Sequence, residues 1–387
     1  MKKIWMLAGE SSGDMYGAAL AKELQQIAAA NGETVEISGM GSAKMREAGV
    51  NIIVDSTELG VIGIFEILKM LFTFIRIYFQ LVKRARAERP DAVILIDYPG
   101  FNMLFAKAMY RSGIKVVWYV CPHLWVWAKW RLPVLAKICT KMLVIFPFEV
   151  EVFAPTPLKA TFVGHPLADM VADRLDPSVV RDENLFLLLP GSRKMEIDKL
   201  LVPMLETVMQ LQKTNPQLKY HISAPREKIA GLCRQKIEKF RKKHPDSPEV
   251  TISCGDTAYY LQKAGTGMAA SGTVTVECAL SGLPLVVGYK LNFLTLVVAK
   301  VLVKLYRGFF TMVNIIANKK VYEEFLQWHF APKELLPAIS KILPGGSRRQ
   351  EVIADMNMVR DMLKDTSGLT AAYRAAVEAY DAAAKQN

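Results

Sequence analysis

Three short stretches of this 387-residue chain set charged and hydroxyl side chains where chemistry can occur. The first is Leu185 to Arg193 with Glu196, LFLLLPGSRKME. A run of apolar residues suits a short buried strand, Pro190-Gly191-Ser192 ends it abruptly, and a helix-compatible run follows from Met195. Strand, tight turn and helix in succession aim backbone N–H groups at a point beyond the strand's carboxyl end, where an anion is the natural occupant. Beside Ser192, Arg193 adds a planar, permanently charged fork suited to phosphate or diphosphate. A plain turn carrying a surface arginine fits the same residues. The second stretch is Asp91 to Asp97, DAVILID, a buried strand ending in an acid before the turn Tyr98-Pro99-Gly100. Ligands of open α/β sheets sit outside the carboxyl ends of strands, so Asp97 is placed for chemistry, unless it only caps the helix that begins near Asn102. The third runs from Ser271 through Gly272 and Thr273 to Glu277. Small residues at a helix start suit phosphate, and a carboxylate one turn on suits a ribose diol; as structure alone the stretch reads as a capping box.

These groups need a scaffold, and the chain spells one out. Ile4 to Ala8 is a strand, and Gly9-Glu10-Ser11-Ser12-Gly13-Asp14 is a Gly-rich loop opening a helix over Tyr16 to Leu24. Glycines at 9, 13 and 17 are four apart, which is not the GxGxxG fingerprint, so no nicotinamide cofactor is expected; close packing of helix on sheet would also explain them. Further strands are expected at Val35–Ser38, Lys115–Val120 and Met142–Ile145, then near 185–189, 219–223, 249–253, 266–270 and 284–288. Strands alternating with helices mean a parallel sheet with helices on both faces, once in each half. The Pro-rich crossing from Pro147 to Val163-Gly164-His165-Pro166 marks the boundary. Domains are therefore expected at 1–165 and 166–345, followed by C-terminal helices over 346–387 that include the Ala-rich helix Leu369 to Gln386. The loop Cys121-Pro122-His123-Leu124-Trp125-Val126-Trp127 carries two Trp that could line an apolar or sugar-facing wall, or pack in the core.

A hydrophobic content of 51% excludes a disordered chain. The 49 Lys+Arg against 37 Asp+Glu favour phosphorylated, polyanionic or acidic-membrane partners, while the absence of an Arg-rich arm or aromatic-interleaved basic run argues against nucleic acid. Five scattered cysteines without a CxxC pair fit a reducing cytoplasm. No metal-ligand cluster is visible, so no divalent ion is expected. The N-terminal apolar run is too short for a signal-peptide core. Leu59 to Arg86 reads as a helix with one polar stripe, Glu66, Lys69, Thr73, Arg76, Gln80 and Lys83, and an apolar surface wider than a core contact needs. Interfacial docking on a membrane, burial in the protein or a dimer, and a true span are the alternatives, with charges arguing against the span. Lys83-Arg84-Ala85-Arg86 could meet anionic headgroups. Leu291 to Phe310 has a similar outsized apolar face.

Taken together, AGESSGD, LIDYPGFN, CPHLWVW, GHPL, LPGSRKMEI, SGTVTVECAL and NIIANKKVYEEFLQ resemble the lipid-A-disaccharide synthase family, in order from residue 8 to residue 327. The resemblance implies the GT-B architecture, two Rossmann-like domains facing a central cleft, with the nucleotide sugar on the C-terminal one and the acceptor on the N-terminal one. It implies inverting transfer of 2,3-diacylglucosamine from UDP to 2,3-diacylglucosamine 1-phosphate, giving the β-1′,6-linked disaccharide, without a cofactor, at the cytoplasmic surface of the inner membrane. In that reading Asp97 is the base, and Ser192, Arg193, Ser271, Gly272 and Thr273 hold the diphosphate. Glu277 takes the ribose, Asn314 and Glu324 form the far wall, and Gly9, Ser12, Asp14, His123 and Trp125 lie toward the acceptor. Two motifs depart from the family pattern. Its Ser-Pro-Ser-Val-Trp-Ala-Trp is here Cys121 to Trp127, and its Gly-Arg pair after NIIA is here Asn318-Lys319, which keeps the charge and loses the bidentate fork.

Overall fold

The computed structural model describes residues 1–59, 64–122, 129–290, 308–365 and 367–384; His123, Trp125 and nearly all of Leu291 to Phe310 lie outside them. Two compact units are formed, Met1–Pro166 with Leu363–Asn387, and Leu167–Met362.

In the first unit the chain runs β1 (Lys2–Ala8), α1 (Ser11–Ala30), β2 (Val35–Gly41), α2 (Ala43–Glu47), β3 (Asn51–Asp55), α3 (Ile64–Glu88), β4 (Ala92–Ile96), α4 (Pro99–Arg111), β5 (Lys115–Tyr119), α5 (Leu132–Ile138), β6 (Lys141–Val144), α6 (Glu149–Phe153) and β7 (Ala160–Phe162). All pairings are parallel, in the order β3-β2-β1-β4-β5-β6-β7. The continuous apolar run of β4 is buried throughout, as a strand covered by helices on both faces must be.

The chain leaves through α7 (Pro166–Ala172) and builds β8 (Asp182–Leu189), α8 (Lys194–Thr214), β9 (Lys219–Ala224), α9 (Glu227–Lys243), β10 (Val250–Cys254), α10 (Thr257–Lys263), β11 (Ala264–Ala270), α11 (Thr273–Leu280), β12 (Leu285–Tyr289), α12 (Met312–Ala317), β13 (Glu323–Leu326), α13 (Pro332–Ser340) and α14 (Arg349–Leu363). Its sheet is also parallel, ordered β10-β9-β8-β11-β12-β13.

The C-terminal helices do not stand apart as the sequence suggested. Arg349, at the start of α14, is buried against the second sheet, donating to Gly265 O at 3.1 Å and Ile342 O at 2.8 Å and pairing with Glu183. The last helix, α15 (Ala371–Ala382), returns to the first unit, where its alanine stripe is buried, Glu378 pairs with Lys141, and Tyr380 donates to Glu33 at 2.5 Å. A guanidinium that needs buried carbonyls and a small-residue stripe that needs close packing went to different partners.

Strand order reverses between β1 and β4 in one sheet and between β8 and β11 in the other. Each reversal opens a crevice beyond the carboxyl ends of the two strands. Gly9, Glu10 and the first turn of α1, which begins at Ser11 inside the expected loop, flank the first together with Asp97; Pro190–Arg193 and Ser271–Thr273 flank the second.

The helix α3 divides its described side chains between two environments. Ile77, Leu81 and Ala85 are fully buried, and Phe74 and Tyr78 stand edge-on to Phe101 at 5.0 and 6.1 Å. On the other side Phe72, Ile75 and Phe79 are 72%, 41% and 63% exposed, beside exposed Arg76 and Lys83. No helix among the described residues is long and apolar enough to cross a membrane.

Candidate active site

At the first crevice, the register Ala8↔Ile96↔Tyr119 brings three strands to a common end. Asp97 and Tyr98 then both take left-handed conformations, φ +47° and +49°. For residues with a Cβ this costs on the order of 1 to 3 kcal/mol each, so neighbours must enforce it. Asn102, fully buried, donates from Nδ2 to Asp97 O at 2.7 Å and to Ile96 O at 3.3 Å, while Asp97 N–H donates to Tyr119 O at 3.0 Å. The Tyr98 ring lies where a side chain at Gly9 would be, within 2.2 Å of a Cβ, and stacks on Phe101 at 6.2 Å. Gly9 therefore makes room for Tyr98. The N-cap of α4 is Tyr98, with no side-chain cap bond, so Asp97 is not spent as a helix cap.

Burial, and after it the charge of Glu10, push the Asp97 carboxyl up to about 6, against a hydrogen bond from Tyr98 N–H. A carboxylate so poised accepts a proton near neutral pH. Glu10 escaped the sequence reading, although it stands at the end of the strand neighbouring β4. Cys121, at the end of β5, is buried with its thiol pushed well above the usual range, by burial first and then by Glu149, Cys139 and Asp97. It is no nucleophile.

Asp14 was expected toward the acceptor, and the structure uses it otherwise. Its carboxylate, 4% exposed, accepts from the N–H groups of Ser42 at 2.5 Å, Lys44 at 3.1 Å and Met45 at 3.3 Å, closing the start of α2. Asp14→Ala is expected to cost about 1 to 3 kcal/mol of stability by leaving those donors unmet, the buried Met45 N–H among them. Thermal melting would show the loss, and Asp14→Asn would recover part of it. Ser12 sits half-buried in the first turn of α1, at the crevice.

At the second crevice Gly191 takes φ +116°, and a Cβ there would strike the Glu196 carboxylate at 2.2 Å. Glu196 Oε2 accepts from Ser192 N–H at 2.8 Å and Arg193 N–H at 3.2 Å, and Arg193 Nη1 lies 3.5 Å from its other oxygen. The turn thus does gather N–H groups on an anion, which here is the chain's own carboxylate. Arg226 Nη2 donates to Ser192 O at 3.4 Å, adding a second guanidinium that the sequence reading missed. Its one signal was position, just past the carboxyl end of β9.

Across the crevice, Ser271 is tied back by its N–H to Gly288 O at 2.9 Å, and α11 starts at Gly272 without a side-chain cap bond. The capping-box alternative is therefore not realised at this helix. Gly272 and Thr273 are exposed. Burial raises the pKa of Glu277, and Arg174 opposes it.

Asn314 and Glu324 are consumed by backbone. Fully buried Asn314 accepts from Val321 and Tyr322 N–H at 2.9 and 2.8 Å and donates to Tyr322 O at 2.8 Å. Glu324 closes the start of α12, accepting from Thr311 N–H at 2.8 Å and its hydroxyl at 2.5 Å. Both polar atoms of the Asn314 side chain are thereby engaged with backbone. Asn318 holds the left-handed φ, +50°, that a glycine would fill, and Lys319 pairs with Asp355 at 2.5 Å.

Solved structures share this fold at low identity. They include a Staphylococcus aureus MnaA–UDP co-structure (TM-score 0.61, 13% identity, 94% of this chain and 93% of that one) and UDP-GlcNAc 2-epimerase from Neisseria meningitidis bound to UDP-GlcNAc (0.60, 12%, 97% and 99%). Likeness at that level shows the two-domain GT-B fold alone. Sequence goes further. Lipid-A-disaccharide synthases of Koribacter versatilis and Geobacter sulfurreducens are 35% and 33% identical, over 97% and 93% of both chains. The family model described as lipid-A-disaccharide synthetase matches residues 4–376, through both sheets and both crevices. With agreement of that extent, the chain belongs to the lipid-A-disaccharide synthetase family.

Proposed function

We propose that the first unit supplies the base and acceptor site, and the second the donor site, of a membrane-surface transferase that makes the lipid A disaccharide. The observation that carries the reading is a buried carboxyl with its pKa raised to about 6 at one switch point, with the anion-gathering turn at the other. Asp97 takes the proton from the acceptor 6-hydroxyl as that oxygen bonds to the donor's anomeric carbon. The bond from that carbon to the diphosphate oxygen breaks, and its electron pair leaves with UDP. Ser192, Arg193 and the Ser271-Gly272-Thr273 helix start hold the diphosphate, which competes with Glu196 for the turn's N–H groups; Glu277 binds the ribose. The exposed apolar side of α3 docks on the cytoplasmic surface of the inner membrane.

Release of UDP from UDP-2,3-diacylglucosamine, dependent on diacylglucosamine 1-phosphate, tests the reaction; turnover of UDP-GlcNAc to its 2-epimer instead would overturn it. Arg193→Ala and Glu277→Ala should each weaken UDP binding by about 1.5 to 3 kcal/mol, the worth of a charge-assisted hydrogen bond. Calorimetry showing both unchanged would move the donor elsewhere.

A further inference from the structure

Between Glu227 and Lys243 the helix α9 carries seven lysines and arginines against two glutamates, a concentrated share of the chain's formal charge of +12. It lies beside β10, the terminal strand of its sheet. One face of that strand is occupied, because Thr251 and Ser253 hydroxyls each meet a ring nitrogen of His221 at 2.7 Å. The alternate residues, Val250 and Ile252, face the other way and line, with Ile237, an open groove of about 660 Å³; Ile237 and Val250 are buried at its base and Ile252 is half-buried. Arg234, Arg241 and Lys242 form its rim, on one helical face with Glu238. None of these residues belongs to the donor site.

The rim charges are weakly engaged. Arg234 pairs with Glu227 at 2.5 Å and Lys242 with Glu238 at 2.7 Å, but all four side chains are more than half exposed, where such pairs are worth little. Arg241 makes a long bond of 3.4 Å to Pro248 O. A cationic rim over an apolar floor fits a ligand that is anionic at one end and apolar at the other. A protein strand added to β10 would use the backbone edge, whereas the groove is walled by side chains turned toward α9.

We propose that this groove seats the headgroup of an anionic phospholipid in a membrane surface, its phosphate on Arg234, Arg241 and Lys242 and the upper part of a chain on Ile237, Val250 and Ile252. The second unit would then hold the membrane by its own contact, in addition to α3. This deepens the membrane-surface reading and depends on it. The test is co-sedimentation of the full chain with vesicles of mixed phosphatidylglycerol and phosphatidylcholine, and with phosphatidylcholine alone. R234E/R241E/K242E should lose at least roughly a hundredfold in partition to the anionic vesicles, from about 1 kcal/mol for each cation removed, before the repulsion of the three added carboxylates. It should keep its binding to phosphatidylcholine, its melting temperature and its UDP affinity. A control with equal charge change elsewhere, K22E/K137E/K213E, should lose far less.

Equal loss in the control would overturn the groove in favour of general charge, as would unchanged binding in the groove variant. Greater self-association of the variant with no change in vesicle binding would assign the cations to guarding the strand edge. Saturable binding of soluble glycerol 3-phosphate that the variant loses would overturn the membrane source. Capture of an acidic peptide in place of lipid would overturn the class. Failure of the enzymatic reading would show separately, as absent UDP release by the unmodified chain in detergent micelles.

Discussion

Asp97→Asn is expected to lower turnover by about 10² to 10⁴ while leaving UDP affinity nearly unchanged and raising the melting temperature at neutral pH. The first effect is the loss of general base catalysis at nearly constant shape. Retention of more than about a tenth of the rate would remove Asp97 from that role. The stability effect follows from linkage. The carboxyl is at about 6 in the fold against an ordinary 3.8, so the ionised form is disfavoured by folding. That burden is fully present above the folded value and is relieved as pH falls from about 6 toward 4. Asparagine carries no charge and escapes it, so the variant should gain about 1 to 3 kcal/mol at pH 7 and lose the advantage near pH 4. The same titration should place the acid limb of kcat/KM in the unmodified enzyme near pH 6. Melting curves that run parallel at both pH values would contradict the burial of a charged Asp97.

Replacing Phe72, Ile75 and Phe79 together by Ser should move the protein from the membrane to the soluble fraction by several orders of magnitude, at roughly 1.5 to 3 kcal/mol for each side chain withdrawn from lipid. The fold should hardly notice, because all three are exposed while the packing of α3 rests on Phe74, Ile77, Tyr78 and Leu81. Flotation with vesicles, read beside a melting curve, separates the outcomes. A fall of many degrees would mean that the trio is packed in a protein interface such as a dimer. A folded, still membrane-bound variant would put the docking surface elsewhere.

The path from α3 to the chemistry is short. Phe74 and Tyr78 pack on Phe101, Phe101 stacks on Tyr98, and Tyr98 follows Asp97 in the strained turn. The helix that carries the exposed apolar side is thus part of the support for the turn that holds Asp97.

Sequence by itself determined the two parallel sheets, because a buried strand between helices shows as an unbroken apolar run with turn residues at each end, as at Ala92–Ile96 and Leu185–Leu189. It also determined which loops would stand at strand ends, and that α3 had more apolar surface than a core could use, since both are local patterns. Only the tertiary structure decided what the polar groups face. Asp14 meets the N–H groups of residues 28 to 31 positions away, Glu324 closes a helix 13 positions upstream, and Asn314 ties down a turn 7 and 8 positions on. A carboxylate or amide can serve a ligand or an orphan backbone donor equally well, and residue type does not say which lies within 3 Å. Nor does it say that Glu10, at the end of a neighbouring strand far away in the chain, adds to the cost of ionising Asp97. Burial and charge proximity are properties of the assembled sheet, and the division of the C-terminal helices between the two units is settled the same way, by where Arg349 finds carbonyls and where the alanines of α15 find a surface close enough to bury them.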